Sequence, residues 1–496
     1  MDAIFDRSYL DTVLDAVKSW ADVICSVVET AGEGVKLFPG QINPKTLKIP
    51  AGTPEDPGFF ADNRELQGCH PHCHNLLFDL GSLDVFYTLE GVTGGRRYNK
   101  AADEYLKWFF ENCLYPGSRY FPWGEHVGYD MVKKEIRRGS YKGGHEVKDH
   151  IIPWDCFWRF SPEAVRNEIS VAFRSHICDE KTFAFNRHAA MDGTPNTGSW
   201  PCSLMDSGGL YLYGWAWLYK KEGKAELLNW VKRMHALPMA GKSKTTGLFC
   251  TAEDRPDEMW YHDVLSYAAL VLPAAALLGD EGETLRKDAL DLIGNYYKYA
   301  YNAEKGLFYD TLNISSGKPV TGLSPHCPEK ERSNPEYIKA YTRPEFLPVW
   351  ENLENSNNVT GVLVSSAVSY FYSKDRRALD LFTAALKTVD IPAFVQSGKK
   401  TIAGKIAGVI LALCHIYRLT GEENYLREAA PLVEYALKNN YRNGIFVTAF
   451  DGGDEYYCTR GGTGDLASAL LAFWIACCRE DLPLPLIRDV IGDCSW

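Results

Sequence analysis

Trp123-Gly124-Glu125-His126 sets a carboxylate beside an imidazole and an indole. Carboxylates and imidazoles transfer protons, and aromatic faces stack on sugar rings. Glu125 is therefore a candidate catalytic acid or base, with Trp123 and His126 as substrate contacts. A second stretch, His145-Glu146-x-x-Asp149-His150 followed by Pro153-Trp154-Asp155, is the densest polar and aromatic run in the chain. On a helix, Glu146, Asp149 and His150 would share one face; helix capping by Asp149 and His150 accounts for the same residues equally well. The order differs from the zinc-protease His-Glu-x-x-His, because position 149 is Asp and the second His comes one residue late. Glu146 is the second candidate carboxylate, with His145, Asp149 and Trp154 as contacts.

Asn186-Arg187-His188 adds a cation and a ring. An Arg binds a carboxylate bidentately, which suits an acidic sugar, although a structural Arg between helical hairpins explains it as well. Glu253-Asp254-Arg255 and Trp260-Tyr261-His262-Asp263 bring further acids and aromatics, and Glu253 and Trp260 join the candidate contacts. Cys69-His70-Pro71-His72-Cys73-His74 has metal-ligand residue types but no second cysteine pair to complete a zinc site. A substrate-contacting loop ending in His74 and Asn75 is the preferred reading, and neither a metal nor a cofactor is expected. Gly452-Gly453-Asp454 and Gly461-Gly462-Thr463-Gly464 lack the phosphate-loop Lys and any βαβ setting, so they are not nucleotide sites.

These residues must be positioned by helices. Leu76–Glu90 reads as an apolar inner helix, Thr93-Gly94-Gly95 as a turn, and Tyr98–Cys113 as an amphipathic outer helix. The same grammar returns at Ala403–Tyr417, Thr420-Gly421 and Tyr425–Lys438, where Thr93, Gly94, Tyr98 and Ala102 match Thr420, Gly421, Tyr425 and Ala429 at one offset. That is an internal repeat. Further copies run over 210–237, 267–301 and 359–389, and a strand-like aromatic segment follows each outer helix. The last helix, Asp465–Cys477, and the first, Tyr9–Glu29, each lack a partner and should pair. The expected fold is all-α, an (α/α)6 toroid of helical hairpins, with seven hairpins if Val147–Phe160 is a shortened inner helix around Pro153. Residues 1–496 are expected to form a single catalytic domain, with short β-hairpin-like segments at one mouth that gather the polar residues into one site.

A net charge of -11 and a pI near 5.6 argue against a nucleic-acid or anionic-membrane partner, which needs a basic face. The run Lys133, Lys134, Arg137 and Arg138 reads as a solvated face. The N-terminus lacks a secretory apolar core, and the fourteen cysteines sit in apolar stretches, so unpaired thiols and a cytoplasmic location are expected. Homo-oligomerisation is left open.

The run Trp123-Gly124-Glu125-His126, His145-Glu146, Pro153-Trp154-Asp155 and Asn186-Arg187-His188-Ala189 resembles a pectate-lyase-like group of (α/α)-barrel proteins, and is most similar to the β-glucuronidases of glycoside hydrolase family 154. The resemblance implies an exo-acting hydrolase that removes a terminal β-glucuronic acid from an oligosaccharide or glycoside. The chemistry of the residues themselves then casts Glu125 and Glu146 as the acid/base pair, with Arg187 and His188 gripping the sugar carboxylate. A polysaccharide lyase is the alternative, with Arg187 neutralising the uronate and His188 or Tyr129 taking the proton. A sugar isomerase or a non-catalytic sugar-binding ring is a third class.

Overall fold

The computed structural model describes residues 5–30, 34–50, 72–124, 126–138, 144–199, 203–327, 329–333, 335, 338, 341–351, 358–448 and 455–491. Glu125 and Cys69–Pro71 lie outside them. The described residues divide into two compact units, one of 1–176, 188–195 and 391–496, the other of 177–187 and 196–390.

The first unit holds α1 (Arg7–Thr30), α2 (Leu80–Thr93), α3 (Arg97–Asn112), α4 (Trp154–Trp158) and α5 (Pro162–His176). The second holds α6 (Ser203–Glu222), α7 (Ala225–Ala240), α8 (Tyr261–Leu278), α9 (Glu283–Ala300), α10 (Val359–Ser373) and α11 (Arg376–Val389). The chain then returns to the first with α12 (Ile391–Ser397), α13 (Ala403–Thr420), α14 (Asn424–Asn439) and α15 (Thr463–Cys478).

In the first unit α13 packs on α15 and α15 on α2, with α3 and α14 as hairpin partners; in the second, α6 packs on α8 and α8 on α10, each backed by the helix that follows it. Small residues make this possible. Gly404, Ala407, Gly408 and Ala412 lie on an α13 that is buried from Ala403 to Ile416, so neighbouring helices approach closely and bury aliphatic surface worth about 25 cal/mol per Å². The buried serines of α10 are satisfied within the helix, Ser369 and Ser373 donating to the carbonyls four residues earlier at 2.7 Å.

The repeat is real at the turns. Gly94 and Gly421, equated by sequence, both adopt the left-handed conformation, with φ of 71° and 75°, and close their helices through N–H bonds to Glu90 and Tyr417. Outer helices end in minimal hairpins, Tyr301–Asn302 with Leu307–Phe308 and Tyr441–Arg442 with Ile445–Phe446. The first and last helices do pair, with Tyr9 and the preceding Phe5 packed against Phe473. The class is thus the expected all-α one, helical hairpins with strands only in two- and three-stranded sheets among the described residues.

Two expectations change. Val147–Phe160 is not a shortened inner helix, since only Trp154–Trp158 is helical. Residues 145–150 are not helical: His145, Glu146 and His150 use their backbone in bridges to Ala189, Gly124 and Asp489, and Asp149 bends the chain at φ 56°. Glu146, Asp149 and His150 therefore share no helix face. Two apolar helical stretches, Val264–Ala300 and Ala403–Thr420, are long enough to cross a membrane by composition, yet most of each is buried inside the protein. No disulfide joins any two of the described cysteines.

Candidate functional site

Three side chains from separate segments of the first unit converge. His126 Nε2 lies 2.7 Å and His188 Nε2 2.8 Å from Glu146 Oε2. One ligand-type atom from each lies within 4.8 Å of the others.

The backbone enforces this meeting. Gly124 bridges to Glu146 in parallel, and His145 and Ala189 exchange N–H···O bonds at 2.9 Å in both directions. Those two bridges set the neighbours of all three residues side by side. Asn75 then clamps the loop that carries His126. Its Nδ2 donates to the carbonyls of Gly124 (2.7 Å) and Val127 (3.1 Å), and its Oδ1 accepts from the N–H of Leu77. Asn75 is 1% exposed, so it acts as a loop clamp.

Beneath this lies a second buried network, whose hub, Glu168 on α5, sequence reading missed. Glu168 accepts from the Phe121 N–H (3.0 Å), the Trp123 indole (2.9 Å) and His145 Nε2 (2.7 Å). The other ring nitrogen of His145, Nδ1, lies 2.9 Å from His176 Nε2 and extends the network to that ring. Trp123 is thus an anchored core indole packed near Trp154, with ring centroids 6.0 Å apart, and neither is an open sugar platform. No signal in the sequence marks Glu168, which reads as an ordinary polar position of an amphipathic helix. Replacing Glu168 by Ala should cost about 3–5 kcal/mol of stability, because three buried donors lose a charged acceptor. Thermal and denaturant unfolding measure it; a loss below about 0.5 kcal/mol, the scale of surface substitutions, would show that the network carries little.

His74, expected to touch substrate, is fully buried, with Nδ1 2.9 Å from Asp79 Oδ2, which also accepts from the Tyr105 hydroxyl at 2.9 Å. Burial pushes the Asp79 carboxyl up, against the pull of His74 and Tyr105. Asp149 is buried, its carbonyl accepting from Val490, and His150 is held by the Lys148 carbonyl at 2.8 Å. Glu253 is exposed and Trp260 half-buried, both in the second unit, and Arg187, half-buried, is assigned there too.

Burial would push Glu146 up, but hydrogen bonds from His126 and His188, with the charge of Lys148, outweigh it and hold the carboxyl well below the usual range. An ionised carboxylate flanked by two Nε2 atoms is a 2-His-1-carboxylate donor set for a divalent cation. Spacings of 2.7–2.8 Å are close to the roughly 3 Å between donors about 2.1 Å from one ion across a right angle. The expectation of no metal overlooked this set, because its members are spread over three segments. Glu146 is sealed at 1% side-chain exposure, whereas His126 and His188 keep 11% and 10%, so the set opens on its imidazole side.

A family model described as periplasmic pectate lyase matches residues 81–251, about a third of the chain, including His126, Glu146 and His188. It supports the pectate-lyase-like part of the resemblance and not the finer likeness to family 154 β-glucuronidases. Its description names a periplasmic enzyme and so overturns the cytoplasmic placement expected from the N-terminus and the thiols. Among solved structures, the cellobiose 2-epimerase of Bacillus thermoamylovorans B4167 aligns at 10% identity and a TM-score of 0.45, over 95% of this chain and 99% of that one. The unsaturated glucuronyl hydrolase of Bacillus sp. GL1 aligns at 10% identity and a TM-score of 0.43, over 92% and 96%.

Proposed function

We propose that the protein is a carbohydrate-active enzyme that cleaves a uronate-containing glycan by β-elimination, with a divalent cation held by His126, Glu146 and His188. The convergence of two imidazole nitrogens and one carboxylate oxygen within 4.8 Å carries this reading. Three protein ligands leave positions open for substrate, the arrangement of catalytic rather than structural ions. The pectate lyase family match across the same residues supports elimination over hydrolysis.

In such an elimination the C5 proton, beside the uronate carboxylate, passes to a base; the oxygen on C4 departs and takes up a proton, and a C4–C5 double bond forms. The carboxylate charge opposes loss of that proton, and a cation bound there supplies Lewis-acid neutralisation. Glu146 and the two imidazoles would hold the cation, with the more open imidazole edges facing the incoming carboxylate. The β-glucuronidase reading needs one of Glu125 and Glu146 protonated as the acid, and the two imidazoles on Glu146 oppose that state for it.

The test treats the purified protein with a chelator and assays it on polygalacturonate and on an aryl β-glucuronide. Expected is an ultraviolet-absorbing unsaturated product, lost on chelation and restored by a divalent cation. Liberated aglycone with no unsaturated product, insensitive to chelation, would overturn the reading.

A further inference from the structure

The second unit contains a cationic cluster that the site above does not use. Arg255 lies with its guanidinium carbon 4.7 Å from the Trp260 ring centroid and 4.6 Å from that of Tyr341. Arg343 lies 5.2 Å from the same Trp260 ring. The strand Glu258–Trp260, paired with Thr311–Asn313, holds this indole in register. Two guanidiniums on one indole repel each other, and burial together with Arg255 pushes the Arg343 guanidinium down. Cation–π attraction to the rings offsets part of that repulsion.

Among the described residues, the anions near the cluster are already committed or peripheral. Glu258, 1% exposed, lies 3.7 Å from Arg343 Nε and accepts the Ser324 hydroxyl at 2.6 Å. Burial pushes the Asp310 carboxyl up, towards its neutral form. Asp254 lies 3.7 Å from Arg255 Nε and is 41% exposed, a solvent-screened pair worth about 0–1 kcal/mol. The Arg255 Nε–H itself is buried and makes no hydrogen bond. With rings at 4.7 and 4.6 Å from its guanidinium carbon, Arg255 has its in-plane N–H edge left to take a carboxylate bidentately.

We infer that Arg255 and Arg343, on the Trp260 and Tyr341 rings, form a carboxylate-binding subsite for a uronate residue of the glycan. The identity of the ligand rests on the proposed elimination chemistry; the anion specificity rests on the cluster. Asp254 occupies the rim as a weak internal competitor that an incoming carboxylate displaces.

Binding is measured by NMR titration of the full chain with methyl galactosiduronate and with neutral methyl galactoside; neither has a glycosidic bond that elimination could cleave. Arg255→Gln should weaken uronate binding by at least about tenfold, the scale of a lost charge-assisted bidentate contact, and leave the neutral sugar unchanged. Asp254→Asn, an exposed change with little bearing on folding, should tighten uronate binding severalfold, which a purely structural Arg255 would not produce. Uronate affinity unchanged in both variants, or losses equal for both sugars, would overturn the subsite. Turnover of polygalacturonate is read separately: cleavage without these binding shifts sinks the subsite alone, and the shifts without unsaturated product sink the elimination reading alone.

Discussion

Glu146→Gln is expected to lower turnover on the order of a thousandfold and, in the same protein, to lose bound divalent cation. The glutamine keeps the size and one acceptor oxygen but removes the negative charge that His126 and His188 flank at 2.7 and 2.8 Å. A catalytic cation is worth several kcal/mol of transition-state stabilisation, which sets the scale of the loss. His126→Ala and His188→Ala should behave alike, since each deletes one of the three donors. Metal content by elemental analysis and turnover on polygalacturonate should fall together across the series. Full activity in a folded, metal-free Glu146→Gln protein would move the chemistry elsewhere and leave Glu146 as a buried strut between two imidazoles.

Gly124→Ala is the largest structural effect to be expected from a single methyl group. Gly124 has φ 88°, and a Cβ there would stand 1.9 Å from the Glu146 carbonyl oxygen and 2.9 Å from its carbon. The positive φ alone costs about 1–3 kcal/mol for an L-residue. The clash must also open the bridge that sets His126 beside Glu146. Gly117→Ala is the control, because Gly117 has the same φ of 88° and an added methyl there would meet nothing within 4 Å. The Gly124 variant should unfold at clearly lower temperature than the Gly117 variant and lose activity in its folded fraction. Equal melting temperatures for the two would mean that the loop yields without cost and that the bridge does not position the site.

The sequence by itself determined the helical hairpins and most of the residue types at the site. Apolar periodicity, turn glycines such as Gly94 and Gly421, and small residues on α13 are local signals: each depends on neighbours within one or two helical turns. His126, Glu146 and His188 were also legible as chemistry-bearing residues, since an acid or imidazole beside aromatics is visible without a fold. Their roles were not. Whether Glu146 gives up a proton or holds a charge depends on which groups stand within about 3 Å of it, and there the hydrogen bonds of two imidazoles with the charge of Lys148 together outweigh burial. Those groups come from segments far apart in the chain, joined through the Gly124 and Ala189 bridges. The same holds for Trp123, which reads as a sugar platform until its indole N–H is found on Glu168. Asn75 and His74 look like contacts until their burial shows a clamp and a core network. Residues 145–150 carry helix-compatible spacing, but three long-range backbone bridges hold them out of a helix. Periodicity records what a segment can do alone; only the tertiary structure decided which buried donors and acceptors had to find each other, because an unpaired one inside the protein costs more than a local preference provides.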